Sequence, residues 1–527
     1  MGTIRRATYE EIRSALLAKR EIALLDVREE DPHAQAHPLF AANFPLARIE
    51  TNAYAKLPRR DVAIVTLDDG EGDAERAAQK LIELGYSDVA TFAGGVAGWA
   101  AADGELFRDV NVPSKAFGEL VESIRHTPSF SAEEVQALID AQADVVIVDA
   151  RRVDEYRTMS IPTATSVPGA ELVLRVPTLA PNPTTQVIVN CAGRTRSIIG
   201  TQSLINAGLP NPVAALRNGT IGWTLAGQAL EQGQNRLFPA ADAETRQKSA
   251  AAARAVADRA GVKQTTLGAL AEWRRQTGRT TYFFDVRTPE EYTAGHLPGF
   301  RSVPGGQLVQ ETEMVAPVRG ARLVLADSDG VRANMSASWL AQMGWEVLVV
   351  DGLVPADLSE SGAWQAPLPP TPAVDFISPA ELAKALDAGH TAALDLTLHA
   401  NYVRGHLPGA WFVQRSRLAE ALGNIPPAER YVLTCATSQL AVFAAAELAS
   451  LVDAPVQVLE GGTQAWQKAG LPLESGPTRL ASTPTDRYRR PYEGTDNPRD
   501  AMQGYLDWEF GLVEQLGRDG THGFFVI

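Results

Sequence analysis

Cysteine is nearly absent from this chain of 527 residues: only Cys191 and Cys435 are present, far apart in sequence. Two such thiols exclude a disulfide framework and cannot build a zinc site, and so sparing a use of cysteine fits a reducing cytoplasm. The eight histidines show no metal-ligand spacing, so neither a metal nor a cofactor is expected. Long apolar runs are missing as well. No stretch reaches the roughly eighteen apolar residues of a membrane-spanning helix. Charges throughout the opening segment (Arg5, Arg6, Glu10, Glu11, Arg13) leave no signal-peptide core. Arg6 stands where a myristoylation motif beginning at Gly2 needs Ser or Thr. Positive charge is in deficit, with a formal net charge of −15. That argues against nucleic acid and anionic membranes as partners, while a local cationic pocket would still bind a small anion.

What is present is a repeat. The chain is too long for one core, and three to five domains are expected. A composition of 45% hydrophobic and 21% charged residues fits an ordinary globular protein. An apolar run ends in Asp four times, at Asp26, Asp149, Asp285 and Asp395. Arg28, Arg151 and Arg287 follow two residues on, and Thr397 takes that place in the last unit. A Gly-His-Leu-Pro-Gly turn follows at residues 295–299 and 405–409, with a degraded counterpart at 160–164. Each unit then shows a second apolar strand, a polar loop, a helix, a third strand and a glycine turn. Strands alternating with helices predict parallel sheets covered on both faces. The expectation is an α/β protein with units at residues 1–108, 128–236, 263–366 and 375–476. Short basic, polar or Pro-containing stretches near 109–127, 239–262 and 368–372 separate them, and residues 250–260 read as a connecting helix. Residues 477–527 carry no repeat. They predict a helix over 500–516 and, from the apolar end Phe524-Phe525-Val526-Ile527, an extension docked on the body.

The mouth of the second strand holds Asp68, Cys191, Asp327 and Cys435 in the four units. Asp68 is followed by further acids (Asp69, Glu71, Asp73), a field that repels anions. Asp327 keeps Gly330 and Arg332 nearby but has no thiol, and Cys435 has no cation beside it and reads as a structural remnant. Only Cys191-Ala192-Gly193-Arg194-Thr195-Arg196-Ser197 offers a nucleophile with a supporting set. A buried strand is expected before it and a helix after it, over residues 198–207, stopped by Gly208. Unpaired N–H groups gather at a helix start, and its dipole and the two arginines favour negative charge. The Cys191 thiol is therefore expected to ionise easily, in a positively polarised pocket open above the sulfur.

The Asp-x-Arg strand end, the Gly-His-Leu-Pro-Gly turn and the Cys loop, repeated in register, resemble the rhodanese sulfurtransferase family over residues 1–476. The resemblance implies four tandem rhodanese-like domains, each a small central parallel sheet flanked by helices. The C-terminal extension has no counterpart in the family. The family loop is Cys-x-x-Gly-x-Arg; here Gly193 falls one position early and Arg196 falls in place. The implied chemistry starts with the Cys191 thiolate taking the outer sulfur of thiosulfate. Sulfite leaves, and the persulfide passes its sulfur to cyanide or a thiol. Ala192, Gly193, Arg194, Thr195, Arg196 and Ser197 would bind the substrate, with Arg196 alternatively turned inward as a brace. Asp149 and Arg151 would hold the strand end. The basic loop favours thiosulfate over mercaptopyruvate. Two other readings stay open. One is a persulfide carrier or sulfur-relay scaffold fed by a partner protein. The other is a Cys-dependent phosphatase or arsenate reductase, disfavoured because a Cys-x5-Arg loop would need arginine where Ser197 stands.

Overall fold

Short β-branched runs become the central strands of four sheets. The structure is a computed structural model that describes residues 4–527; Met1, Gly2 and Thr3, and with them the Gly2 position considered above, lie outside the described residues. In the second unit the strand order is Ser129–Phe130, Val213–Leu216, Gln186–Asn190, Val145–Asp149, Thr165–Ser166, all parallel. The third unit repeats it with Lys263–Thr265, Glu346–Val350, Arg322–Ala326, Thr281–Asp285 and Arg301–Ser302. The fourth follows with Phe376–Ile377, Val456–Leu459, Arg430–Thr434, Thr391–Asp395 and Trp411–Phe412. The first sheet has a sixth strand, because Val318–Arg319 of the third unit pairs antiparallel with Ile22–Asp26. All five residues of Ile22–Asp26 are buried, as befits a strand covered on both faces.

Register makes the four loop positions equivalent in space. Asp26 pairs with Leu67, Asp149 with Asn190, Asp285 with Ala326 and Asp395 with Thr434. Asp68, Cys191, Asp327 and Cys435 are each the next residue along. The histidines of the turns serve the fold: His296 and His406 donate through Nδ1 to the carbonyls of Tyr292 and Tyr402 and stack on those rings.

The first three units share one core in addition to smaller clusters of their own. One apolar cluster runs from Leu25 and Phe44 of the first through Phe117 and Ile198 to Phe284 and Leu325 of the third. The fourth keeps clusters of its own, and Arg415 ties it to the first through Glu50, at 2.8 Å from both carboxylate oxygens.

Two segments differ from expectation. Residues 109–127, read as a polar separator, contain the helix Val112–Arg125, most of it buried. Its Gly118 lets the backbone come so close to the Cys191 helix that a methyl there would lie 2.9 Å from Thr195 Cγ2. The single helix expected over 500–516 is two, Arg499–Phe510 and Leu512–Asp519, divided at Gly511. Glycine is a weak helix former, and the break lets each half bury its own face. Met502, Tyr505 and Leu506 pack with Ile221 of the second unit, and Leu512 and Leu516 enter a core of the first.

Candidate active site

The strand Gln186–Asn190 delivers Cys191 to the start of the helix Thr195–Asn206. Beneath the strand end Asp149 accepts bonds from Arg151 Nε (2.9 Å) and Nη2 (2.7 Å) and from Asn190 Nδ2 (2.9 Å). Both Asp149 and Arg151 are buried. They fix the backbone that carries the cysteine and do not touch its sulfur.

The loop turns its carbonyls away from the thiol. Cys191 O accepts the Thr220 N–H at 2.9 Å, and Ala192 O accepts the Ile221 N–H at 3.0 Å. This contact requires Gly219, with φ +54°, where a methyl would sit 2.3 Å from Cys191 O. Among the described residues no protein acceptor takes the N–H groups of Gly193, Arg194, Thr195 or Arg196. The result is a concave set of unpaired donors at a helix start, which suits a negatively charged atom. The thiol donates to Ser197 Oγ at 3.3 Å, and that hydroxyl donates to Arg194 O at 2.8 Å.

Both arginines face inward onto carboxylates. Arg196 makes a fork with Glu155 at 2.8 and 2.9 Å. Burial opposes ionisation of Glu155, but Arg196 outweighs it and holds the carboxyl down to about 2. Arg194 bonds Glu119 at 2.7 and 2.9 Å, pairs with Glu122, reaches Asn218 Oδ1 at 3.2 Å and lies 4.3 Å from the Phe510 ring centre. Arg196 is thus the brace allowed for above, and Arg194 is an anchor between the loop and the helix Val112–Arg125.

The expectation of an open, easily ionised thiol is corrected here. Cys191 is 2% exposed. Burial pushes its thiol up; Arg196 and Ser197 pull it back in part, and Glu509 pushes it further up. The cover comes from the C-terminal extension. A methyl at Gly193 would lie 3.1 Å from Tyr505 Cε1 and 3.3 Å from Glu509 Oε2. Lys115, paired with Asp109 at 2.6 Å, lies beneath Tyr505, Tyr492 and Trp508 at 5.1, 5.4 and 5.6 Å from the ring centres. Cation–π contacts of this buried kind contribute about 2 kcal/mol each. Cavities of about 490 Å³ and about 300 Å³ are lined by Arg196 and by Glu155, and one of about 330 Å³ by Tyr505 and Trp508; Cys191 itself lines none of the three.

A rhodanese-like domain model matches residues 8–102, 131–226, 266–355 and 378–469, which is most of the chain. The chain belongs to the rhodanese family. Over its whole length this rhodanese is similar to a solved structure, a thiosulfate sulfurtransferase from Pseudomonas aeruginosa. The two are 69% identical over 99% of this chain and 100% of that one, with a TM-score of 0.99. A curated relative, an HTH-type transcriptional regulator of Mycobacterium tuberculosis, is 31% identical over 104 residues, 19% of this chain. The chain spans 46% of that relative's length.

The sequence reading missed Glu119, Glu122, Glu155, Tyr505 and Glu509. A signal existed for Glu155. It stands six residues after Asp149, and Glu291 stands six after Asp285. These are the two units with arginine five residues past the loop position, and Arg332 indeed bonds Glu291 at 2.9 Å. The first and fourth units have neither partner. No comparable signal marks Glu509, whose contact spans about three hundred positions of sequence.

Proposed function

We propose that this rhodanese is a sulfurtransferase that moves sulfane sulfur from thiosulfate to a thiol or cyanide through a persulfide on Cys191. The observation that carries it is that only in the second unit do a thiol, loop N–H donors without an acceptor among the described residues and a carboxylate-braced arginine come together. The likeness to the Pseudomonas enzyme supports the choice of donor. In the first half-reaction Cys191 sulfur bonds to the outer sulfur of thiosulfate, and the sulfur–sulfur bond breaks toward sulfite. The loop donors hold the charged terminal sulfur of the persulfide. In the second half an acceptor attacks that sulfur and Cys191 leaves. Ala192 to Ser197 form the substrate cradle, with Arg196 as brace, and Asp149 with Arg151 as support. The repeat limits stay as read from sequence, with residues 477–527 as an extension docked on the body and the cytoplasm as the compartment.

The test is sulfite release from thiosulfate with mass spectrometry of the protein. Wild type should gain one sulfur on Cys191, Cys191→Ser should lose turnover by at least about a thousandfold, and Cys435→Ser should stay within about twofold. Full turnover by Cys191→Ser defeats the assignment. The covered thiol favours one second reading, a carrier loaded by a partner protein that displaces the cover. It predicts a persulfide on Cys191 without repeated turnover on small molecules.

A further inference from the structure

Glu509 reaches the Cys191 loop from the extension and is fully buried. Its Oε1 accepts the Tyr505 hydroxyl at 2.8 Å. Its Oε2 has no hydrogen-bond partner among the described residues and is the oxygen that faces Gly193, two residues from the cysteine. A bare carboxylate oxygen in a closed site is costly, and the loop it faces needs nothing from it for packing, since Gly193 has no side chain. The groups facing Glu509 come from every element around it: Lys115 and Glu119 from the helix Val112–Arg125, Arg194 and Cys191 from the loop, and Tyr505 from its own helix. Burial pushes the Glu509 carboxyl up to about 8; Glu119 adds to this, while Lys115, Tyr505 and Arg194 oppose it. The neighbouring thiol is also pushed up, so the resting cysteine carries a proton that must leave before its sulfur can attack.

We propose that Glu509 of the C-terminal extension is the proton holder of the Cys191 site. The inference rests on the sulfurtransferase reading above. On loading, the Glu509 carboxylate takes the thiol proton and the Cys191 sulfur bonds to the outer sulfur of thiosulfate. The donor's sulfur–sulfur bond breaks with its electron pair going to sulfite. The products are neutral Glu509, the persulfide anion on Cys191 and sulfite dianion. On unloading, an acceptor thiolate bonds to the terminal sulfur and the persulfide bond breaks toward Cys191. Glu509 returns its proton to the departing thiolate, leaving an acceptor persulfide anion. No oxidant or reductant is needed in either half.

The experiment follows persulfide formation on Cys191 in the full-length protein by rapid quench and mass spectrometry, with thiosulfate as the probe, from pH 6 to pH 10. Wild-type loading should rise through a midpoint near 8. Glu509→Gln should load at least about tenfold more slowly at pH 7.5, lose that midpoint and gain rate only as the thiol itself ionises. Glu509→Asp should recover part of the rate. Tyr505→Phe removes the hydroxyl that supports the ionised carboxylate, so its midpoint should move to higher pH with the upper rate retained. If Glu509→Gln loads as fast as wild type or faster, Glu509 is only a repelling charge and the proposal falls. If that variant does not fold, an unmoved midpoint in Tyr505→Phe overturns it. Wild type that forms no persulfide at any pH overturns the sulfurtransferase reading and this inference with it. A loaded wild type beside an unaffected Glu509→Gln overturns this inference alone.

Discussion

The loops that begin at Cys191 and at Asp327 have the same length and the same brace. Arg196 forks with Glu155, and Arg332 pairs with Glu291. They part at the first side chain. In the third unit Asp327 accepts the N–H groups of Gly330 at 2.9 Å and Ala333 at 2.8 Å, and Asp329 accepts those of Val331 and Arg332. The first unit does likewise, with Asp68 taking Gly70 at 2.7 Å and Ala74 at 3.0 Å. In the second unit the N–H groups of Gly193, Arg194, Thr195 and Arg196 have no acceptor among the described residues, and that of Ser197 turns to the Cys191 sulfur itself. A carboxylate fixed at the loop mouth thus occupies the place that a charged persulfide sulfur would fill. The first and third units carry their own carboxylate there, and the second leaves the place free.

The severest way to break this comparison is to give the second loop the side chain of the third. Cys191→Asp should fold, melt within a few degrees of wild type, and release sulfite at least about a thousandfold more slowly. A sharp fall in melting temperature would show that the donors around Cys191 are not the ones an aspartate can satisfy. A smaller effect is expected at the brace. Glu155→Gln leaves a buried guanidinium without its counter-charge and should cost about 3 to 4 kcal/mol in denaturant unfolding. Because the folded Glu155 carboxyl is held down to about 2, below its unfolded range, its contribution is present above about pH 4.3 and is lost as pH falls toward 2. The difference between Glu155→Gln and wild type should shrink over that window; a constant difference would mean that Arg196 is held by something else.

The fourth unit supplies the mildest case. Without an arginine at 397, Asp395 accepts, among the described residues, only the Thr397 N–H at 2.9 Å, and its Oδ2 is buried without a partner there. Burial raises its carboxyl to about 6. The sign is opposite to that of Glu155: the folded value lies above the unfolded one, so the benefit of the neutral acid is present at low pH and is lost as pH rises through 6. Asp395→Asn should match wild type near pH 4 and exceed it by about 2 kcal/mol at pH 8. Equal melting of the two proteins at pH 8 would contradict this account.

Much of this was legible in the sequence because it is local. The Asp-x-Arg strand ends, the loop position one residue past the strand and the glycine turn that supports it all lie within short spans, and repetition put them in register. The covering of Cys191 was not legible. Composition and helix polarity argue for an ionisable thiol, but burial is decided by what packs on the loop, and Tyr505 and Glu509 arrive from a segment without repeat character. The helix Val112–Arg125 was hidden for a related reason: Lys115, Glu119 and Glu122 look like a solvated face until Asp109 and Arg194 are seen to meet them.

Chain order has a consequence for how the protein is made. Cys191 and its brace precede Tyr505, Glu509 and Phe510 by about three hundred residues. Synthesis runs from the N-terminus and domains fold as they emerge. The loop therefore exists through the synthesis of those intervening residues as a cup without its cap, and it can be shut only once Tyr505 and Glu509 have left the ribosome.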